Sequence, residues 1–268
     1  MPIPLPNKIT NNIRENLPNP NLSLKYYKWA DFYNNVFTGF AENTKHENPK
    51  FDFLNKFVAL SGGDAYKQAF ETRKRLMEGI GITFTMTTES RLVFGMGYEH
   101  PTEIGFMFDW TSGLPIIPGS SLKGVALRAV EYDIDAIQDT LDKKTKEETK
   151  NKIFGSPKEG SGEIIFFPAY PCLIESNKPF LELDVMTPHY TPYYSMPAEN
   201  PPADWYSPVP LHFLTVPAGV KYCFRLAHRK NLKDKESPLL KKAENVLKYA
   251  LSEFGVGAKT SVFYGYFK

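Results

Sequence analysis

Hydrophobic periodicity divides the C-terminal two thirds of the chain into a short series of strands and helices. Residues 82–87 alternate strictly between apolar side chains and threonines, which predicts a strand with one buried face. Five further periodic or apolar segments follow as helix, strand, strand, helix and strand: 120–129, 163–167, 220–226, 239–254 and 262–267. This order predicts an α+β fold with the ferredoxin-like, RRM-like βαββαβ topology.

The first third of the chain has a different character and predicts an accessory region. Residues 1–23 are rich in proline and asparagine and read as an extended arm, whereas 24–40 and 64–78 show helical patterns. We therefore expect an N-terminal arm and helical extension over 1–79, packed on a main domain over 80–268.

Two segments interrupt the periodic series of the main domain. Ten of the 22 prolines fall between Pro171 and Pro217, mixed with tyrosine and tryptophan. This composition predicts a long, ordered insertion over about 172–218, of the kind that usually carries a contact surface. Residues 139–152 are densely charged and compatible with a helix, and we interpret them as a solvated excursion.

The stretch 116–124 places a Pro-Gly turn before two serines, a lysine and an apolar helical stripe. Ser120 and Ser121 are predicted N-cap residues, and the first turn contains Lys123 instead of the usual acid. Because the positive end of a helix dipole attracts negative charge, this helix start suits an external anion such as a phosphate. A plain serine-capped helix with a solvated lysine remains the alternative.

The stretch 255–261 follows the terminal helix and combines two glycines, a lysine and two hydroxyls. Such a loop allows close approach to a phosphate or a ribose. A Walker A loop would need glycine at Ala258 and a strand before it, and a dinucleotide fingerprint would need glycine at Thr260. We therefore do not expect nucleotide hydrolysis.

Composition limits the remaining classes of function. The net charge is +2, so any nucleic-acid contact must come from a local patch and not from a broadly basic surface. Cys172 and Cys223 have no zinc-binding spacing and the five histidines are scattered, so we expect neither a metal nor another cofactor. The N-terminus lacks an apolar signal core and no run approaches membrane-spanning length, which predicts a cytoplasmic protein without membrane contact.

Two glycine-containing blocks resemble the RAMP superfamily, the ferredoxin-like RNA-binding proteins of CRISPR systems. The block 115–124 is similar to the helix-opening signature of that superfamily. The block 255–257, the lysine that follows it and Gly265 are similar to its terminal glycine-rich loop, with Phe263 in place of one expected glycine.

Further blocks resemble one branch of that superfamily. Residues 184–190, the Tyr193-Tyr194 pair and residues 207–216 are similar to the sixth-subunit family of the Cmr complex, the type III-B CRISPR effector. The ordered blocks span about residues 80–268, which makes the resemblance more specific than a single glycine motif.

The resemblance implies a non-catalytic subunit that holds the 3′ region of the guide RNA at one end of an effector filament, in antiviral RNA-guided defence. The implied partners are the guide RNA and its target RNA, the repeated backbone subunit, another RAMP protein that caps the filament, and small helical subunits. In this family the backbone subunit cuts target RNA and the large subunit performs signalling chemistry.

A ferredoxin-like fold brings the two motif-bearing turns toward one sheet edge. Lys123 and Lys259 are then expected to bracket a sugar-phosphate chain. The other predicted RNA-contacting residues are glycines, hydroxyl residues and two arginines: Gly119, Ser120, Ser121, Gly255, Gly257, Thr260, Ser261, Arg91 and Arg128. Arg128 lies roughly 140° around the helix from Lys123, so these two side chains do not share a face. Arg91 fits equally well as a surface residue.

Two other functions remain open at this point. One is an endoribonuclease that processes precursor CRISPR RNA, with His189 and Tyr190, or His212, as general acid and base. Against it, no third residue is apparent that would orient either histidine. The other is a purely architectural subunit that contacts only its protein neighbours.

Overall fold

The computed structural model describes residues 21–28, 49–60, 64–133, 143–158, 160–173, 179–196 and 198–268. Three helices precede the first strand: α1, Leu22–Lys28; α2, Pro49–Leu60; and α3, Asp64–Leu76. Four helices follow it: α4, Gly119–Tyr132; α5, Lys143–Phe154; α6, Thr191–Ser195; and α7, Pro238–Glu253. The strands are β1, Ile82–Thr87; β2, Gly155–Ser156; β3, Gly160–Ser161; β4, Ile164–Phe166; β5, Tyr170–Leu173; β6, Glu182–Met186; β7, Leu211–Thr215; and β8, Lys221–His228.

The main sheet is antiparallel and is organised around β8. Strand β1 pairs along one side of β8, with Phe84 opposite Phe224. Strands β4 and β5 follow one another along its other side, so that Phe166 lies opposite Leu226. Because alternate residues of a strand point to opposite faces, the phenylalanines and Leu226 of this sheet enter the core, whereas Thr83 faces outward.

The C-terminal segment pairs with the sheet over a shorter length than its sequence predicts. A 3₁₀ turn occupies Thr260–Val262, where the apolar pattern predicts the beginning of a strand. Only the last four residues pair with the continuation of β1, through a bridge between Thr88 and Phe267 and through backbone hydrogen bonds. These bonds join Thr87 with Lys268, Glu89 with Tyr266 and Arg91 with Gly265. The prediction of a strand over 262–267 is therefore wrong for its first half, because the loop coils before it reaches the sheet.

Helices α4 and α7 cover the inner face of the main sheet. Their apolar stripes are buried in one core cluster with the sheet residues, and the buried stripe of α7 includes Leu240, Val246, Leu247 and Leu251. The amphipathic patterns predict both helices to within a turn at each end.

Helix α5 belongs to this core, contrary to the interpretation of its charged segment as a solvated excursion. Ile153 and Phe154 are buried, and the Phe154 ring stacks on Phe166 with 5.8 Å between the ring centroids. Lys146 and Thr149 are buried as well. The segment has one narrow buried face, which its high content of charged residues makes hard to recognise in the sequence. Residues 139–142 of the predicted segment lie outside the described residues.

The N-terminal helices contact the main domain at separate places. Tyr26 and Tyr27 of α1 donate hydrogen bonds to the carbonyls of Ile104 and Phe106, over 3.1 and 2.6 Å. Helix α2 packs against β6 and β7, and α3 packs against β5. Residues 1–20 of the predicted arm and residues 29–40 of the predicted helix over 24–40 lie outside the described residues. The sequence predicts that the arm extends to residue 23, but Leu22 and Ser23 already belong to α1, so this end of the prediction is wrong.

Among the described residues of the proline-rich segment, regular structure occurs at the two ends and in one short helix. Strands β6 and β7 form an antiparallel ribbon with Asp184 opposite Phe213. Between them the chain carries α6 and two strongly exposed aromatic side chains, Tyr194 and Trp205.

Candidate nucleic-acid interface

Helix α4 begins two or three residues earlier than its serines predict. Pro118 occupies the N-cap position, and its carbonyl accepts hydrogen bonds from the amides of Ser121 and Leu122, over 3.0 and 3.1 Å. Ser120 and Ser121 therefore lie inside the first turn, and the prediction that one of them is the N-cap is wrong. Neither serine hydroxyl bonds to another of the described residues, so both are available to an external acceptor or donor.

Gly119 is fixed by packing against the sheet. A Cβ atom at this position would lie 2.1 Å from the carbonyl oxygen of Phe166, a distance that no side chain tolerates. Gly119 lets the start of α4 approach the β4 backbone. The predicted RNA contact is therefore not needed to explain why this residue is a glycine.

The terminal loop is also shaped by its own packing. Gly257 has a φ of 104°, and a Cβ atom there would lie 2.5 Å from the carbonyl oxygen of Val93. Gly255 is buried beneath the Tyr266 ring. Thr260 and Ser261 follow in the 3₁₀ turn, with Ser261 exposed, and neither hydroxyl has a hydrogen-bond partner in the described part of the chain.

The two predicted lysines are not neutralised by carboxylates. Within the described ranges, no Asp or Glu oxygen lies within 4.0 Å of the Nζ atom of Lys123 or Lys259. The Lys259 ammonium lies 5.9 Å from the centroid of Phe213 and 5.7 Å from that of Tyr264, at cation–π distance. Both side chains are half-buried.

Arg91 is held differently from the lysines. Its Nε donates to Glu182 Oε1 over 2.6 Å and a terminal nitrogen lies 3.1 Å from Asp184 Oδ2. The Tyr264 hydroxyl donates to the same Asp184 oxygen. Two effects raise the pKa of Tyr264 to about 12: burial, which is the larger, and the bond to the Asp184 carboxylate. The predicted phosphate contact of Arg91 therefore has no support in this geometry, because two carboxylates already occupy its guanidinium.

A ladder of backbone hydrogen bonds joins the terminal loop to the segment that precedes α4. The Ala258 amide bonds to Val93, the Met107 amide to the neighbouring Phe94, and the Ile116 amide to Met107, over 2.9, 2.9 and 3.4 Å. Because adjacent extended segments lie about 4.8 Å apart, three steps separate Ala258 from Ile116 by roughly 15 Å. The ladder thus ties the terminal loop to residue 116, three residues before α4 begins. Arg128 lies on the exposed side of α4, farther along the helix.

Two features of this region carry no signal in the sequence. The stacking of Lys259 over Phe213, and the cluster of Asp184 with Tyr264, join residues that are 46 and 80 positions apart. No spacing motif links such pairs, and only an alignment of co-varying positions would point to them.

No acidic side chain in the described part of the chain bonds to His189 or His212 of the proline-rich segment. The His189 ring is exposed, 6.4 Å from the ring of Tyr190, and His212 packs edge-on against Phe51 at 4.9 Å. Across the described residues, no three potential metal-ligating side chains cluster together. Nor does any helix among them have the length and apolar character that a membrane span requires.

Comparison with known proteins identifies relatives for most of the chain. Residues 85–268 match the sequence model of the RAMP superfamily. The CRISPR system Cmr subunit Cmr6 of Pyrococcus furiosus is 33% identical over 252 residues, covering 75% of this chain and 72% of the relative. The Cmr6 subunit of Saccharolobus solfataricus is 28% identical over 213 residues, covering 77% and 65%.

A solved structure shares the fold. A chain in the cryo-EM structure of the type III-B Cmr-beta complex bound to cognate target RNA superposes with a TM-score of 0.61. The superposition covers 97% of this chain and 94% of that chain, at 22% identity. From the superfamily match and the extent of the identity to Cmr6, we conclude that the chain belongs to the RAMP superfamily and, within it, to the Cmr6 family.

Proposed function

We propose that this protein is a non-catalytic, RNA-binding subunit of a type III-B CRISPR complex, and that it holds the 3′ region of the guide RNA. The relatives that cover most of the chain are Cmr subunits, and the structure that shares its fold comes from such a complex bound to target RNA. The proposed partners are the guide and target RNAs, the backbone subunit, the capping RAMP protein and the small helical subunits.

The observation that carries the proposal is the pairing of two uncompensated lysines with unpartnered hydroxyls. Lys123 with Ser120 and Ser121, and Lys259 with Thr260, lie on turns joined by the backbone ladder. Charged nitrogens and hydroxyls are the groups that position a sugar-phosphate backbone, and the 2′-hydroxyl of RNA gives the serines a further partner.

The topology supports the finer assignment of a ferredoxin-like sheet. The C-terminal bridge between Thr88 and Phe267 lies beside the continuation of β1, on the side away from β8. We propose that this short segment is the reduced fourth strand of a ferredoxin-like fold, with the residues between β5 and β8 as its insertion.

Replacement of both lysines tests the binding proposal. In the full-length Lys123→Ala/Lys259→Ala variant we expect affinity for a single-stranded RNA with a guide 3′ region to fall about tenfold for every sequence. The slope of log affinity against log salt should become shallower by roughly one unit per lysine, because each lysine releases condensed counterions. Fluorescence anisotropy at several salt concentrations measures both quantities.

Lys158→Ala is the matched control, since Lys158 is exposed on the turn between β2 and β3, away from both motifs. The Lys158→Ala variant should leave the RNA affinity and its salt dependence within about twofold of the wild type. An unchanged salt slope in the double variant, or a loss confined to one RNA sequence, would contradict the backbone-holding role.

The absence of catalysis is part of the proposal and has its own test. The protein is incubated with labelled precursor CRISPR RNA, and the products are compared with those of His189→Ala. We expect no cleavage by the wild type. Cleavage that disappears in the variant would instead establish an endoribonuclease that uses His189 and Tyr190.

A further inference from the structure

A second positively charged surface lies over the outer face of the main sheet and extends to the first turns of α7. The last turn of α3 stands over the outer face of β1, β5 and β8 and leaves a groove of about 1050 Å³. Five of its lining residues define what we call the α3 groove: Arg73, Arg75, Lys221, Arg225 and Lys235.

Acidic side chains do not balance the charge of the α3 groove. None of its five cations has a carboxylate oxygen within 4.0 Å among the residues that the structure describes. Of the acidic lining residues, Glu71 contacts Lys74 at 4.0 Å and Glu244 contacts Lys241 and Lys248 at 3.6 and 2.7 Å. In all, seven cationic side chains and three glutamates, Glu78 among them, line the groove. A cleft with such an excess of one sign of charge concentrates ligands of the opposite sign.

The cations are arranged along a line. Lys221 and Arg225 point to the same face of β8, four residues and therefore about 13 Å apart. The hydroxyls of Thr83 and Thr85 are exposed on the neighbouring strand. This length suits a run of phosphates better than a single phosphate group.

One cation of the groove also presents a flat surface. The Arg73 guanidinium lies 3.4 Å above the centroid of the Tyr170 ring, in a stacked position. A stacked guanidinium plane can continue a stack with a nucleobase, and a charged groove with such planes is typical of proteins that hold single-stranded nucleic acid.

We propose that the α3 groove binds a segment of single-stranded RNA, at a site separate from the turns of Lys123 and Lys259. The choice of RNA as the polyanion rests on the proposed function, whereas the groove itself rests only on its own geometry. Phosphates contact Lys221, Arg225 and Arg75, and a base stacks near Arg73. An acidic protein segment is the competing ligand for such a surface.

A thiol on the floor of the groove provides a local probe. Cys223 lies opposite Tyr170 on β8, and its neighbour Cys172 donates its thiol to the Lys221 carbonyl over 3.5 Å. The Cys172 thiol, and after it Arg225 and Lys74, lower the pKa of Cys223. Cys223 should therefore react readily with iodoacetamide near neutral pH, and a ligand in the groove should shield it.

The test uses the full-length chain, a 12-nucleotide oligouridylate and mass spectrometry of the Cys223 peptide. We expect saturating RNA to slow alkylation of Cys223 about fivefold or more. In Lys221→Glu/Arg75→Glu, RNA affinity should fall about tenfold and the protection should disappear, while Lys158→Glu keeps both. The thermal midpoint of each variant is measured in parallel, so that loss of folding is not mistaken for loss of binding.

Two further outcomes separate this proposal from the others. The Lys123→Ala/Lys259→Ala variant should retain RNA protection of Cys223, which distinguishes failure of the groove from failure of the proposed function. The proposal is overturned if saturating RNA leaves Cys223 alkylation unchanged. It is also overturned if a 12-residue oligoglutamate protects Cys223 as well as the RNA does, which would assign the groove to an acidic protein segment.

Discussion

Phe263 combines a strained backbone with an exposed aromatic ring. Its φ is 65°, in the left-handed region that glycine adopts without cost, and its side chain is 76% exposed. A non-glycine residue pays about 1–2 kcal/mol for that conformation, and Phe263 recovers little of it by burial. Strain of this kind persists where the surrounding structure imposes it, and here Phe263 closes the turn by donating its amide to the carbonyl of Thr260.

Replacement of Phe263 by glycine should relieve this strain. We expect Phe263→Gly to be about 0.5–1 kcal/mol more stable than the wild type, after allowance for the greater unfolded-state entropy of glycine. Urea denaturation measures the change. Phe263→Ala is the matched control, because it removes the same ring but keeps a Cβ atom in the left-handed region, and it should give no gain. Equal gains in both variants would show that the ring, and not the backbone, is the source of the cost.

Helix α4 contains two glycines with opposite roles. Gly119 lies against the carbonyl of Phe166, whereas a Cβ atom at Gly124 would meet nothing within 4 Å. Both belong to the sequence block that resembles the superfamily signature. The structure therefore separates a glycine required by helix–sheet packing from one that only lowers helix propensity.

The two alanine substitutions should change stability in opposite directions. We expect Gly119→Ala to cost 2 kcal/mol or more, roughly, because the added methyl forces the helix start away from β4. Gly124→Ala should stabilise the protein by about 0.5–1 kcal/mol, since alanine is the better helix former. Thermal and urea unfolding of the two variants measure these differences. A neutral Gly119→Ala variant would contradict the close approach of α4 to β4.

At the scale of the whole molecule, His100 connects the N-terminal region to the main domain. Its ring stacks on Tyr26 of α1 at 3.8 Å, and its Nε2 donates to the Tyr26 carbonyl over 2.9 Å. Its Nδ1 accepts the amide of Thr102 over 3.2 Å. Burial lowers the pKa of His100 to about 4, because the charged ring would lose its contact with water.

Acid should therefore weaken this connection. The pKa of His100 is lower in the folded than in the unfolded protein, so its contribution is complete above about pH 6.5 and is lost as the pH falls toward 4, by up to about 3 kcal/mol. In His100→Gln the decline of stability between pH 7 and pH 4.5 should be shallower. His189→Gln, which changes an exposed histidine, should follow the wild type. Urea unfolding at each pH gives the comparison, and parallel curves for wild type and His100→Gln would refute the assignment.

The sequence by itself determined the positions of five elements of the main domain: β1, β4, β8, α4 and α7. The patterns place β1 at Ile82–Thr87 and α7 within a residue of its observed ends, because alternation and the 3.6-residue period follow from which side faces the core. The same reasoning located the turns of Lys123 and Lys259 and, through the resemblance, the superfamily.

Only the tertiary structure decided which cationic side chains pair with carboxylates and which do not. Arg91 and Lys259 are both cations in or beside a glycine-rich turn, yet one is held by Glu182 and Asp184 and the other lies over aromatic rings. The α3 groove likewise joins α3 to β8, more than 140 residues later. Hydrophobic periodicity shows which side chains of one segment face the core and which face solvent. Electrostatic pairing instead depends on distances between segments, which the order of the chain does not constrain.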